Sequence, residues 1–192
     1  MEPATPPHAH RNSPRFDRTS AAILDAAARV FHEEGTGANL ASVAAAAGIS
    51  RATLYRYYAN REALLAALSA DALSAAARRL SDAGLERAGV EDAIGRVLRA
   101  LVAVGDRYAV LISDHAMLST AHEQLAAVIQ GVLARGIETG VLRGDLPVEI
   151  QYEFLAGTAL NAIKITQQHG LGLEEASAAA AGFFLDGTRS RA

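Results

Sequence analysis

Apolar side chains recur at helical spacing in the first third of the chain. Ile23, Ala27, Val30 and Phe31 share one face, after a start signal at Thr19 or Ser20 and before a stop at Gly35. The pattern then breaks into shorter pieces. Asn39 can cap a short helix through Ala47, Gly48 forces a turn, and Ser50 opens a second short helix through about Tyr57. Asn60 caps a longer helix to about residue 81, with Leu64, Leu65, Leu68, Ala72 and Leu80 as its apolar positions. Glu62 lies in its first turn, where the helix dipole favours an anion. After a loop at 82–89, helices are predicted over roughly 91–104, 107–119 and 121–139. Pro147 opens a long helix to about Gln168, Gly170 and Gly172 break it, and a last helix runs from about Leu173 to Leu185.

Composition narrows the class. None of the five prolines lies between Arg15 and Leu146, and alanine makes up about a fifth of the 192 residues. Alternating runs of β-branched and aromatic residues are absent, so the expected fold is all-α. Residues 1–15 are proline-rich and poor in large apolar side chains, and are expected to be a disordered, basic tail. With 51% hydrophobic residues, 20% charged residues and a net charge of −3, the rest reads as a folded protein. The chain has no cysteine, which excludes disulfide scaffolds, thiolate metal sites and a cysteine nucleophile. No stretch has the length and apolarity of a membrane span, and the first residues lack a signal-peptide pattern. A soluble, cytoplasmic protein is expected.

Local charge gives the first functional signal. Residues 39–61 carry Arg51, Arg56 and Arg61 and no acidic residue, although the chain as a whole is slightly acidic. Tyr55, Tyr57 and Tyr58 are interleaved with these arginines. Val43, Ala44, Ala47, Ile49 and Leu54 supply apolar contacts between two short helices that meet across Gly48. A helix-turn-helix needs this arrangement: a short second helix, cationic on its outer face and narrow enough for a major groove. Ser50, Arg51, Ala52 and Thr53 then point at base edges, Arg51 suiting guanine and the Ala52 and Thr53 methyls suiting thymine. Tyr55, Arg56, Tyr57 and Arg61 would reach phosphates, while Tyr58 would close the core.

Over about residues 19–68 the sequence resembles the tetracycline-repressor (TetR) family of bacterial transcription regulators. Ile23–Ala27 and Val30–Gly35 look like that family's first helix. Val43-Ala44 and Ala47–Ser50 look like its second helix and turn, and Thr53–Tyr58 with Asn60–Leu65 look like its recognition helix and the start of helix four. Asn39, Tyr58 and Arg61 stand where threonine, phenylalanine and lysine are usual. Beyond residue 70 the likeness is limited to helix order and the segment 173–187.

The resemblance implies a helix-turn-helix DNA-binding domain over 16–60 and a helical ligand-binding and dimerisation domain over 61–192. The DNA-contact set expected is Arg18, Thr19, Asn39, Ser50, Arg51, Ala52, Thr53, Tyr55, Arg56, Tyr57 and Arg61. It also implies a homodimer that reads a palindromic operator through paired last helices. Ile150, Phe154, Gly157, Leu160, Ile163, Ala179, Phe183 and Phe184 form the expected interface. Tyr108, Ile112, Met117, Leu118 and Phe154 are expected to line a site for a small, apolar effector, and the helix over 60–81 would be the lever that moves the DNA-binding heads. His115 and His122 are seven apart, not the three or four that two ligands on one helix need, so no metal is expected. No catalytic pairing or cofactor motif stands out. The expected function is a repressor released by its effector. An activator or effector-independent regulator is the alternative, and a helical scaffold without DNA binding is the rival from another class.

Overall fold

The computed structural model describes residues 14–34, 37–105 and 120–190. Among them are eight helices: α1 (Pro14–Glu34), α2 (Leu40–Ala46), α3 (Arg51–Tyr57), α4 (Arg61–Asp82), α5 (Val90–Val102), α6 (Thr120–Glu138), α7 (Val148–His169) and α8 (Leu173–Thr188). The only β pairing among the described residues is an isolated antiparallel bridge between Leu142 and Arg189. The all-α expectation holds. The helix expected at 107–119, with Tyr108, Ile112, His115, Met117 and Leu118, lies outside the described residues, as do residues 1–13 and Gly35.

Two boundaries differ from the sequence reading. Helix α1 begins at Pro14 rather than at Thr19 or Ser20. Proline at the first helical position loses no hydrogen bond, because that N–H has no intrahelical acceptor. Helix α8 continues one turn past Leu185, where buried Thr188 donates its hydroxyl to Phe184 O at 2.7 Å.

The chain divides into two compact units between Leu68 and Ser69, inside α4. The first unit, called the head below, packs α1, α2, α3 and the start of α4 around Ile23, Ala27, Phe31, Val43, Leu54, Leu64 and Leu68, all buried. The second unit is built on α5, α6, α7 and α8. Helix α8 lies against both α5 and α7, and Ile94, Leu98, Ile129, Leu133, Leu142, Leu155 and Ile163 are among the second unit's fully buried large side chains.

Arginines fasten the connections of the second unit. The Arg135 guanidinium donates to the carbonyls of Leu85, Glu86 and Ala88, and Arg96 donates to Ala83 O, so the turn after α4 has its carbonyls satisfied from α5 and α6. Gln151, fully buried, donates to Arg143 O and Leu146 O and holds the connection before α7.

Candidate nucleic-acid interface

The two short helices of the head are set by side-chain caps. Asn39 has extended backbone, and its Oδ1 accepts from Ala41 N (2.8 Å) and Ser42 N (3.0 Å), meeting two of the donors that a helix start leaves open. Helix α2 ends where Gly48 turns the chain at φ +65°, a left-handed conformation that glycine adopts without a Cβ clash. Ser50 then caps α3: its Oγ accepts from Thr53 N at 3.1 Å, and the Ser50 and Thr53 hydroxyls are 2.9 Å apart. Asn60 repeats the device for α4 through Ala63 N at 2.8 Å.

Caps and core together fix which face of α3 turns outward. Leu54 is wholly buried and Tyr58 is 8% exposed, so positions 54 and 58 define the inner line. Arg51, Ala52, Tyr55 and Arg56 are exposed and form two adjacent i, i+4 pairs. Thr53 and Tyr57 sit between these faces, half-buried. The Arg56 guanidinium lies 5.7 Å from the centroid of the Tyr57 ring, within cation–π range. Neither α2 nor α3 has an acidic residue in its first turn.

The outward surface is therefore two guanidinium groups, a small methyl and one half-exposed phenol on a narrow helix. It can offer bidentate donors to base edges and cations to phosphates. Ser50 and Thr53 belong to this end of α3, but their hydroxyls serve the cap. Thr53 still offers a base its methyl group and the unused lone pairs of its hydroxyl.

The other expected contact residues scatter more. Arg18 and Asn39 are exposed at the starts of α1 and α2, and Thr19 is half-buried. Arg61 differs from Arg51 and Arg56. It is half-buried, its guanidinium carbon lies 5.2 Å from the Phe31 ring centroid, and its Nε is sealed from solvent.

Long-range polar contacts in the head were not visible in the sequence. Tyr58 and Ser20 share a hydroxyl–hydroxyl hydrogen bond of 2.7 Å across 38 positions, and Ser42 Oγ donates to Glu34 Oε2 at 3.1 Å. Helical periodicity marks faces and does not say which faces meet. Only the hydroxyl of Tyr58, at a position where the resembled pattern has phenylalanine, hinted at a polar partner.

In the second unit the interface set divides. Ile150 (44% exposed), Phe154 (61%) and Phe183 (82%) project outward with Ala179, while Gly157 and Leu160 are half-buried. Ile163 and Phe184 do not join them: they are 1% and 4% exposed and belong to the unit's own core. Ile163 fills the space left by Gly105, where an added Cβ would come within 2.9 Å of it. Phe184 packs inward because α8 lies on α5 and α7 through that side. Phe154, also expected at the effector site, is exposed, and the other four residues of that set lie outside the described residues. Among the described residues no group of three His, Asp or Glu side chains is arranged to hold a metal, and no helix is long and apolar enough to cross a membrane.

Comparison with known proteins agrees with the geometry. Residues 23–68 match the family model of bacterial regulatory proteins, tetR family. The chain is 29% identical over 174 residues to the HTH-type transcriptional repressor KstR2 of Rhodococcus jostii, covering 83% of this chain and 85% of that protein. It is 40% identical over 94 residues to the repressor LfrR of Mycolicibacterium smegmatis, covering 46% and 47% of the two chains. The structure of LfrR in complex with proflavine superposes with a TM-score of 0.72 at 24% identity, covering 89% of this chain and 96% of that one. FadR of Bacillus subtilis in complex with stearoyl-CoA superposes with a TM-score of 0.65 at 19% identity, covering 87% and 98%. The capped helix pair, the cationic outer face of α3 and these similarities together identify residues 23–68 as the DNA-binding domain of the bacterial regulatory proteins of the tetR family, in a chain that is similar to transcriptional repressors along most of its length.

Proposed function

We propose that the protein is a cytoplasmic repressor that acts as a homodimer on a palindromic operator and leaves it when a small, largely apolar molecule binds. The observation that carries this reading is the outer face of α3: Arg51, Ala52, Tyr55 and Arg56 exposed together, with the Ser50 hydroxyl held by the Thr53 amide and hydroxyl. Arg51 and Ala52 meet base edges; Arg56, Tyr55 and Tyr57 meet the phosphates that set register; Arg18, Thr19 and Asn39 lie at the margin. DNA reading falls to residues 16–60, and effector binding and pairing to residues 61–192.

Pairing rests on Phe183, Phe154, Ile150 and Ala179. Large aromatic side chains left in water on neighbouring helices are costly in a monomer and gain by self-association. Two similar proteins support the effector class. LfrR is described in complex with proflavine and FadR with stearoyl-CoA, both ligands with large apolar parts. In this reading α4 (Arg61–Asp82) is the lever between effector and DNA.

Two measurements test the proposal. Selection from a random duplex pool, followed by footprinting, should return two inverted half-sites with centres about 10 bp apart or a multiple of that. Sedimentation should give twice the chain mass. A single protected half-site bound by a monomer would defeat the paired reading.

A further inference from the structure

The elbow between α3 and α4, Tyr58 to Arg61, is fastened to α1 at both ends. Tyr58, 8% exposed, bonds through its hydroxyl to Ser20 in the early part of α1 at 2.7 Å. Three residues later, Arg61 lies over Phe31 in the last turn of α1, 5.2 Å from its ring centroid. Phe31 is itself buried, so its ring is a fixed platform. Helix α1 is one continuous helix of 21 residues, and thus bridges the two ends of the elbow as a splint. All four residues lie in the head. Both contacts depend on the side chains present: a phenylalanine at 58 would have no hydroxyl for Ser20, and a lysine at 61 no plane to lie on a ring.

Direction matters more for one kind of DNA contact than for the other. Bidentate base contacts need a helix held within about 0.5 Å and 10–20° of its productive pose, whereas phosphate contacts tolerate more. A device that fixes the exit angle of α3 therefore acts on sequence discrimination.

We propose that Tyr58 and Arg61 are positioning residues for the recognition helix: with Ser20 and Phe31 they lock the elbow, and Arg61 acts through the Phe31 ring rather than by touching a phosphate. The proposal rests on the reading that α3 enters a groove.

The test compares the full-length parent with Tyr58→Phe, Arg61→Lys, Arg61→Met and the double variant Tyr58→Phe/Arg61→Lys. The probes are two fluorescein-labelled duplexes, one selected by the parent from a random pool and one of unrelated sequence. Anisotropy titrations at several salt concentrations give both affinities and their salt slopes, and hydrogen exchange reports the α3 amides without DNA.

Each single variant should lose about 2- to 10-fold on the selected duplex, the scale of one hydrogen bond or one cation–π contact. Binding to the unrelated duplex and the salt slope should stay unchanged even in Arg61→Met, and α3 amides should exchange faster in the conservative variants. A simple loss of folded protein would lower both affinities together, which overturns the proposal. A phosphate contact at Arg61 would leave Arg61→Lys unimpaired and shrink the slope of Arg61→Met by about 0.9 per head, which overturns it too. If the parent selects no duplex, the groove reading fails, and exchange then decides the lock: faster exchange supports it and unchanged exchange ends it.

Discussion

The neighbouring phenylalanines of α8 offer a sharp test of the proposed pairing, because one is in water and the other in the core. Phe183 is 82% exposed and Phe184 is 4% exposed. A phenylalanine presents about 150–250 Å² of surface, and burying most of a ring at about 25 cal/mol per Å² contributes roughly 3 kcal/mol. A two-fold interface counts each residue twice, so Phe183→Ala should weaken the dimer by about 6 kcal/mol, or ~10⁴-fold in dissociation constant. Fluorescence-detected sedimentation velocity over a dilution series measures this directly. The variant should keep its helical circular dichroism, since Phe183 supports nothing within its own chain. Phe184→Ala should do the reverse, with a loss of about 3–5 kcal/mol in unfolding free energy from the cavity it leaves. A Phe183→Ala dimer that dissociates at the parent's concentration would remove α8 from the interface and refute the reasoning.

Three other outcomes follow from single contacts. Arg51→Ala should relax base preference at one position per half-site and cost about 1–3 kcal/mol per contact, as read by competition binding with single-base operator variants. Gly136→Ala should lower the thermal midpoint by an amount equivalent to about 1–3 kcal/mol, because the new Cβ would lie 2.6 Å from Leu142 Cδ1 and 2.9 Å from Val90 Cγ1. The Glu174 carboxyl is held below the usual glutamate range by its hydrogen bonds from Arg99, so Arg99→Gln should raise its titration midpoint in an NMR pH series. Because that pKa is lowered by folding, any stabilisation from the pair is present above the ordinary glutamate value of about 4.3 and fades as pH falls through the lowered one. The difference in melting temperature between parent and Arg99→Gln should therefore close on the acid side.

Local chemistry was legible from the sequence where a feature answers to its immediate neighbours. Asn39, Ser50 and Asn60 announce helix starts because a short acceptor side chain can reach the open N–H groups two or three residues on, and the structure shows each of them doing so. Gly48 announces its turn for an equally local reason. The capping types Thr19 and Ser20 look like a helix start but lie inside α1, which begins at Pro14, since proline is tolerated in a first turn.

Facing was harder to read, and α7 and α8 show why. Both helices are apolar around most of their circumference. One side packs within the second unit through Leu155, Ala159, Ile163, Ala176, Ala180 and Phe184, while the other leaves Ile150, Phe154 and Phe183 in water. A helix with two apolar sides has no polar stripe to mark the outside, so spacing alone does not separate the buried Ile163 and Phe184 from their exposed neighbours. In α3 the reverse holds: Leu54 and Tyr58 face in, the charged and small residues face out, and one periodicity settles both. The proposed function accounts for the contrast. A surface that meets a polyanion must be polar and reveals itself against the core, whereas a surface that meets a second copy of the same chain is made of the same side chains as the core. On that account, the exposed phenylalanines of this protein stand out as the proposed pairing surface only once the fold shows which of their neighbours are already buried.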